Sequence, residues 1–438
     1  MPPLLIRRNV EAVNALFMPQ ARFCRWIAVG LLITRADASA QQALMNSLAT
    51  STAADQGSQP QASDYTYKNG DFRLWVAPAL DLQWNDNVQI YQTGQQSDFE
   101  IRPTVGLITT YPISQQNQLK LNFTVGYNKY VTYDSLDSFY LQAGSGLSFD
   151  VNVKEVRINL HDQFSYVQDS SQNSQVANTG SYGTFQNTAG LLASWDLTKL
   201  ILSAGYDHQN VLSTSTQFND NDHSSELLFA RAGYLVNPRL TTGLEASASF
   251  TTYDQAILNN NQSYSIGAYA DYKPDEYFDF QPRAGYVIYQ FDQSSQALQT
   301  SDLNSWYADL KVTHKITDAI NYSIDAGHRV GLGVQSDATE AWFITPSVTW
   351  NLKKDWSIIG SLSYENGQQG TGSTAVSPGS NLVSENYSYY TATLGFSHPI
   401  TSRITFNFNY RLTSRSSSSQ DRGYTQNEVD LQLTYHPQ

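Results

Sequence analysis

The sequence predicts an all-β protein, a transmembrane antiparallel β-barrel of about eighteen strands with short periplasmic turns and longer extracellular loops. Three observations carry that expectation. Apolar and polar residues alternate with period two in run after run. The links between runs alternate between tight and long. The N-terminus carries an export signal.

The signal comes first. Arg22 and Arg25 flank a short apolar run, Trp26 to Thr34, and Ala38-Ser39-Ala40 supplies small residues for cleavage. A helix over that run spans about 14 Å, too short for a hydrocarbon core of about 30 Å. Residues 1–40 are therefore read as a signal peptide, with Met1 or Met18 as its start. Removing its five Arg and two acidic residues takes the net charge from -13 to -16, a balance that disfavours nucleic acid as a partner. The single cysteine, Cys24, precedes the apolar run and would be lost with it. Residues 41–70 are small, polar and aperiodic, and read as a flexible periplasmic segment; the barrel is expected over 71–438.

From Asp71 onward the period is two. In Arg403–Arg411, Ile404, Phe406, Phe408 and Tyr410 share one face; Thr405, Asn407, Asn409 and Arg411 share the other. Such runs fall at 71–84, 98–111, 117–131, 138–151, 154–167, 184–198, 200–212, 223–236, 239–252, 262–273, 276–291, 302–315, 318–333, 340–352, 355–366, 385–398, 402–413 and 424–436. Eighteen is even, and runs this long exceed the five or six residues usual in soluble strands. Charged residues make up only 15% of the chain, against roughly 25% in ordinary globular proteins. Average hydropathy cannot exclude a barrel, because lipid-facing and lumen-facing residues cancel.

Tight links include Tyr111-Pro112-Ile113-Ser114, Asn237-Pro238-Arg239, Lys273-Pro274-Asp275, Lys353-Lys354-Asp355 and Pro399-Ile400-Thr401. The longer ones are rich in Ser, Gln, Asn and Gly, as in 168–183 and 367–384. Near run ends on the apolar face stand Trp84, Tyr127, Trp195, Tyr272, Trp342, Trp350, Tyr364, Tyr410 and Tyr435, the aromatic girdle expected at headgroup level. Four prolines within runs (Pro78, Pro103, Pro282 and Pro346) each forgo a ladder hydrogen bond, and bulges are the expected accommodation.

On the opposite, lumen-lining face fall Arg73, Asp81, Glu100, Arg102, Lys120, Arg157, Glu245, Asp279, Arg283, Asp309, Lys311, Asp325, Arg329, Arg411 and Asp430. Two readings stay open for them: recognition of hydrated cargo, or opposite charges paired across a wet wall. Trp75, Tyr289 and Phe343 point inward as well, either to stack on sugar rings or to pack a constriction.

Catalytic chemistry is not apparent. His161, His208 and His328 lie on strands, but no His-Ser pair carries an orienting carboxylate, so no enzyme is expected. Asn219-Asp220-Asn221-Asp222-His223 places oxygen ligands at alternate positions without the Gly and distal Glu of a calcium loop; a solvated turn is expected there, and neither cofactor nor metal.

The first run closes on Trp84-Asn85-Asp86-Asn87-Val88. An aromatic followed by Asp-Asn-Val at the close of an opening strand resembles the outer-membrane β-barrel porin family often found beside exopolysaccharide synthesis genes. Strand length and aromatic-rich alternation extend the resemblance over 71–438. It implies a bacterial outer-membrane conduit for a secreted polysaccharide, inserted into lipid by the barrel assembly machinery and served by a periplasmic polysaccharide export protein. Only Asp86 and Asn87 carry over as family positions, with structural roles. The chain ends Tyr435-His436-Pro437-Gln438 rather than on an aromatic, a departure from the terminal pattern of outer-membrane strands. A general solute porin, and a surface adhesin or structural barrel built on the long loops, are the alternatives.

Overall fold

The computed structural model describes residues 65–114, 116–352, 355–375 and 383–436. The signal segment, Cys24 and most of the expected periplasmic lead-in lie outside the described residues, as do Lys353, Lys354 and Pro437.

Eighteen long antiparallel strands form one sheet: β1 (Phe72–Asn85), β2 (Asp98–Pro112), β3 (Gln118–Tyr130), β4 (Ser138–Val153), β5 (Val156–Gln168), β6 (Gly183–Asp196), β7 (Leu200–Ser213), β8 (His223–Asn237), β9 (Leu240–Tyr253), β10 (Asn261–Tyr272), β11 (Phe278–Phe291), β12 (Leu303–Thr317), β13 (Ile320–Gly331), β14 (Thr339–Asn351), β15 (Ser357–Gln369), β16 (Glu385–Pro399), β17 (Ile404–Ser417) and β18 (Tyr424–Tyr435). Each pairs with its neighbours in sequence. The sheet then closes on itself: Ala79–Asn85 of β1 pair with Glu428–Thr434 of β18. Closure abolishes the edges that a sheet would otherwise expose. Eighteen strands about 4.8 Å apart, tilted by about 40°, give a backbone diameter of about 36 Å if circular. Every run expected from alternation is a barrel strand. Alternation did not reveal a short strand at Tyr67–Asn69 that folds back on β1, or the pairing of Leu298–Thr300 with Ser373–Ala375 between outer loops.

The outward face is apolar. Leu80, Leu82, Phe99, Ile101, Leu244, Ile266, Leu362, Leu394, Leu431 and Leu433 are all exposed, while inward neighbours such as Asp81 and Glu100 are buried. Trp195, Tyr272 and Trp350 lie beside the short turns, and Tyr127, Trp342 and Tyr390 toward the long loops, all exposed.

The prolines behave differently from expectation. No register shift accompanies Pro103, Pro282 or Pro346; the ladder skips rungs there and resumes unchanged. Pro78 sits where β1 has no partner on its β18 side, one residue before that pairing begins. A residue without an N–H thus occupies a rung that is already missing. Register shifts occur instead between Asn122 and Val125, and between Leu141 and Ser145, where β3, β4 and β5 bend.

The lumen, the strap across it and the closing seam

Inward side chains are arranged as acid–base pairs. Arg283 on β11 makes three bonds to Glu245 on β9, the shortest 2.6 Å, and Tyr307 donates to the same carboxylate at 3.0 Å. Tyr307 reaches it by lying over Gly267 and Gly285, where a Cβ would meet its hydroxyl at 2.2 Å and its ring at 2.5 Å, respectively. Asp150 receives Lys120 and Arg157, each at 3.2 Å. Arg329 pairs with Glu365, and Asp279 with Lys273 at 3.2 Å. Lys311 stands opposite Asp325, and Arg283 opposite Asp309. Arg102 donates to Glu100 at 2.8 Å and to Asn128 at 2.9 Å, with Asp81 3.6 Å away. Asp430 lies opposite Gln83, a diagonal step from Asp81. Arg73 takes the inward position near the short-turn end of β1, opposite Thr110.

The inward aromatics each pack on protein neighbours. Tyr289 is fully buried against Phe291, Tyr307 and Val330; Trp75 stacks on His436; and Phe343 lies beneath the Arg329 guanidinium.

Residues 169–182, between β5 and β6, cross the lumen and dock on β15 to β17. In a ring of eighteen, nine strands separate opposite walls, so this segment straps one wall to the other. Asp169 accepts from Arg411 at 3.0 Å, and Ser171 Oγ accepts from the same guanidinium at 3.1 Å. Tyr389 donates to the Ser171 carbonyl, and Arg415 to the Ser174 carbonyl at 2.8 Å. Ser174 donates to Glu365. The Gln175 carbonyl accepts from Gln369 and Arg422. Arg415 is itself fully buried and pairs with Glu385, which also takes Arg422 at 3.0 Å.

A small apolar core anchors the strap at the outer mouth. Ile90, Val176, Ala177, Tyr182, Phe218, Val334 and Tyr424 pack together, the first six from four loops that meet over the lumen. Tyr182 and Phe218 meet edge to face at 4.8 Å between centroids. Gly180 sits so close to the first loop that a Cβ would lie 2.4 Å from the Val88 carbonyl. Burial works to raise the Asp169 pKa. The adjacent Arg411 guanidinium and hydrogen bonds from Ser171 and Gln172 outweigh it and hold the group down at about 2.

Alternation singled out Arg411 but missed its partners. Glu428 lies two residues before Asp430, and Arg415 four after Arg411, so the same period could have reached them. Asp169 carries no periodic signal, because it lies in a loop. The 219–223 turn is partly a 3₁₀ segment, with Asp222 accepting from the Ser213 amide and His223 bonded to the Asn221 carbonyl. Among the described residues no three His, Cys, Asp or Glu side chains converge as metal ligands. His161 meets Asp207 at 3.1 Å and Asn159 at 3.0 Å inside the wall.

Asp86 and Asn87 act at the closing seam, immediately above the last paired rungs of β1. The Asn427 amide and carboxamide donate to the two Asp86 oxygens at 2.7 and 2.6 Å. Asn87 donates to the Thr425 carbonyl at 3.0 Å, and Gln426 donates to the Asn87 carbonyl at 2.9 Å. Side chains thereby continue the β1–β18 junction past the end of β1.

Residues 59–271, just under half of the chain, match the family described as "Putative beta-barrel porin 2". The protein is a porin-like channel barrel of the bacterial outer membrane. The match bears out the resemblance read from Trp84 to Val88. Solved structures similar to this porin-like barrel include OpdL of Pseudomonas aeruginosa, at 13% identity and a TM-score of 0.46, covering 84% of this chain and 99% of that one. OccAB3 of Acinetobacter baumannii is 9% identical with a TM-score of 0.46, over 83% of this chain and 98% of that one. OccK2 (OpdF) of Pseudomonas aeruginosa, solved in complex with glucuronate, is 10% identical with a TM-score of 0.47, over 83% and 98%. A comparison with curated proteins found no match.

Proposed function

We propose that this porin-like barrel passes small polar solutes by diffusion, through the space that the strap leaves beside itself. The observation that carries the reading is the strap, bound to the opposite wall by Asp169–Arg411 and by Arg415 and Arg422 through backbone carbonyls. A polymer conduit needs a clear bore. A filter for small solutes gains selectivity from a narrowed, polar one. The paired lining favours hydrated solutes of low net charge, since wall charges such as Arg283, Lys120 and Arg329 already have a counter-ion close by.

Export of an exopolysaccharide requires the strap to leave its site. Planar-bilayer recording separates the two readings. A solute channel conducts ions as isolated, and removing residues 172–180 raises its unitary conductance. A polymer conduit conducts little until the strap is removed, and only then shows block by long oligosaccharides. A deletion strain that retains polymer in its periplasm would overturn the solute reading. Absence of any conductance in both forms would leave a structural or adhesive barrel.

A further inference from the structure

We propose that the outward face of β5 to β8 is a contact surface between two copies of this chain. Around the rest of the belt, outward positions between the girdles carry apolar side chains, small residues or an occasional imidazole. On β5 to β8 they carry a polar stripe. Asn187 donates to Asp162 at 2.7 Å, Asn187 stands directly opposite Asn210, Asn210 bonds His208 at 3.0 Å, and His208 meets Glu226 at 2.9 Å. Tyr206 donates to the other Glu226 oxygen. Among the described residues, Asp162 and Glu226 are the carboxylates that alternation turns outward between the girdles.

The stripe is not at the rim. Below it runs a registered row, Leu160, Leu191, Tyr206 and Leu228, each 38–46% exposed. Above it runs another, Tyr166, Phe185 and Leu212. Asp162 is four residues from Tyr166 along β5, and His208 four from Leu212 along β7. At a rise of about 3.3 Å per residue and a tilt of about 40°, that is about 10 Å of height. Phe99 and Phe139, the latter on the adjacent β4, stay 58% and 51% exposed higher still. Headgroup water therefore does not reach Asp162, Asn187 and His208, and acyl chains offer no hydrogen bonds.

A second copy offers the missing chemistry. Read across the wall, the groups run carboxylate, carboxamide, carboxamide, imidazole, carboxylate, almost the same in either direction. A two-fold axis along the membrane normal between Asn187 and Asn210 sets carboxamide against carboxamide. By strand order the same axis sets β6 against the partner's β7, which carries its Asn210 and His208, and β5 against the partner's β8. Self-complementarity of this kind is what an isologous interface requires.

The test uses the full chain in outer membranes, in a Cys24→Ser background. Ala189, opposite both Asp162 and His208, is replaced by Cys, and Ala308 on the outward face of β12 serves as the control. A short bismaleimide should yield a product of twice the barrel mass from Ala189→Cys and none from Ala308→Cys. Replacing Asp162, Asn187, Asn210 and Glu226 together by Leu suits a lipid-facing wall. This variant should keep its heat-sensitive folded mobility and its conductance, and should lose at least nine-tenths of the cross-linked dimer. A dimer yield from Ala189→Cys no greater than from Ala308→Cys overturns the proposal. So does adduct formation only with lipid or with an unrelated protein, or undiminished dimer in the leucine variant.

Discussion

Replacing Asp169 by Asn should loosen the strap by a calculable amount. The carboxylate ordinarily titrates near 3.8, and at the wall it is held at about 2. Because the folded value is depressed, the interaction is complete above about pH 4 and is lost as pH falls through about 2. The difference corresponds to about 2–3 kcal/mol, or roughly sixtyfold in the ratio of docked to released strap. Single-channel recording at pH 7 should therefore show longer or more frequent openings to the larger conductance for Asp169→Asn than for the unaltered barrel. Acidification from pH 5 to pH 2 should reproduce those openings in the unaltered barrel, most of the change lying below pH 4, and should add little in the variant. Two results would refute the reasoning: identical conductance histograms for the two proteins at neutral pH, or an acid response of full size in the variant.

Other perturbations test the remaining contacts. Arg415→Ala leaves the Glu385 carboxylate buried with fewer counter-charges. Breaking such a pair costs about 3–5 kcal/mol, so the temperature at which the folded band is lost in gel electrophoresis should drop clearly. Gly180→Val drives a side chain into the Val88 carbonyl, and protease cleavage within 169–182 should accelerate while the strands stay protected. Asp86→Ala removes two bonds from Asn427 at the seam and should cost about 1–3 kcal/mol, read as lower refolding yield into detergent or lipid. Leu244→Lys puts a charge on the outer belt at a residue 63% exposed, and should destabilise by about 2–4 kcal/mol in bilayers if that position lies near the midplane. An unchanged unfolding midpoint in lipid would show that hydrocarbon does not face this wall.

What the chain settled by itself was local. Period-two alternation assigns faces because successive side chains on a strand must point opposite ways. A wall with lipid on one side and water on the other turns that geometry into composition, so all eighteen strands were legible, from Phe72 to Tyr435. Turn residues marked the short links for a similarly local reason. Only the folded ring decided what the lumen contains. Asp169 and Arg411 are 242 positions apart, and Asp86 and Asn427 are 341 apart, so no window of sequence holds both members of either pair. Their meeting depends on strand count and on closure. The prolines make the same point on a smaller scale: each reads as a defect in its own strand, and tertiary pairing had already omitted its rung. Alternation tells a residue which side of the wall it faces; closing the wall tells it what stands across from it.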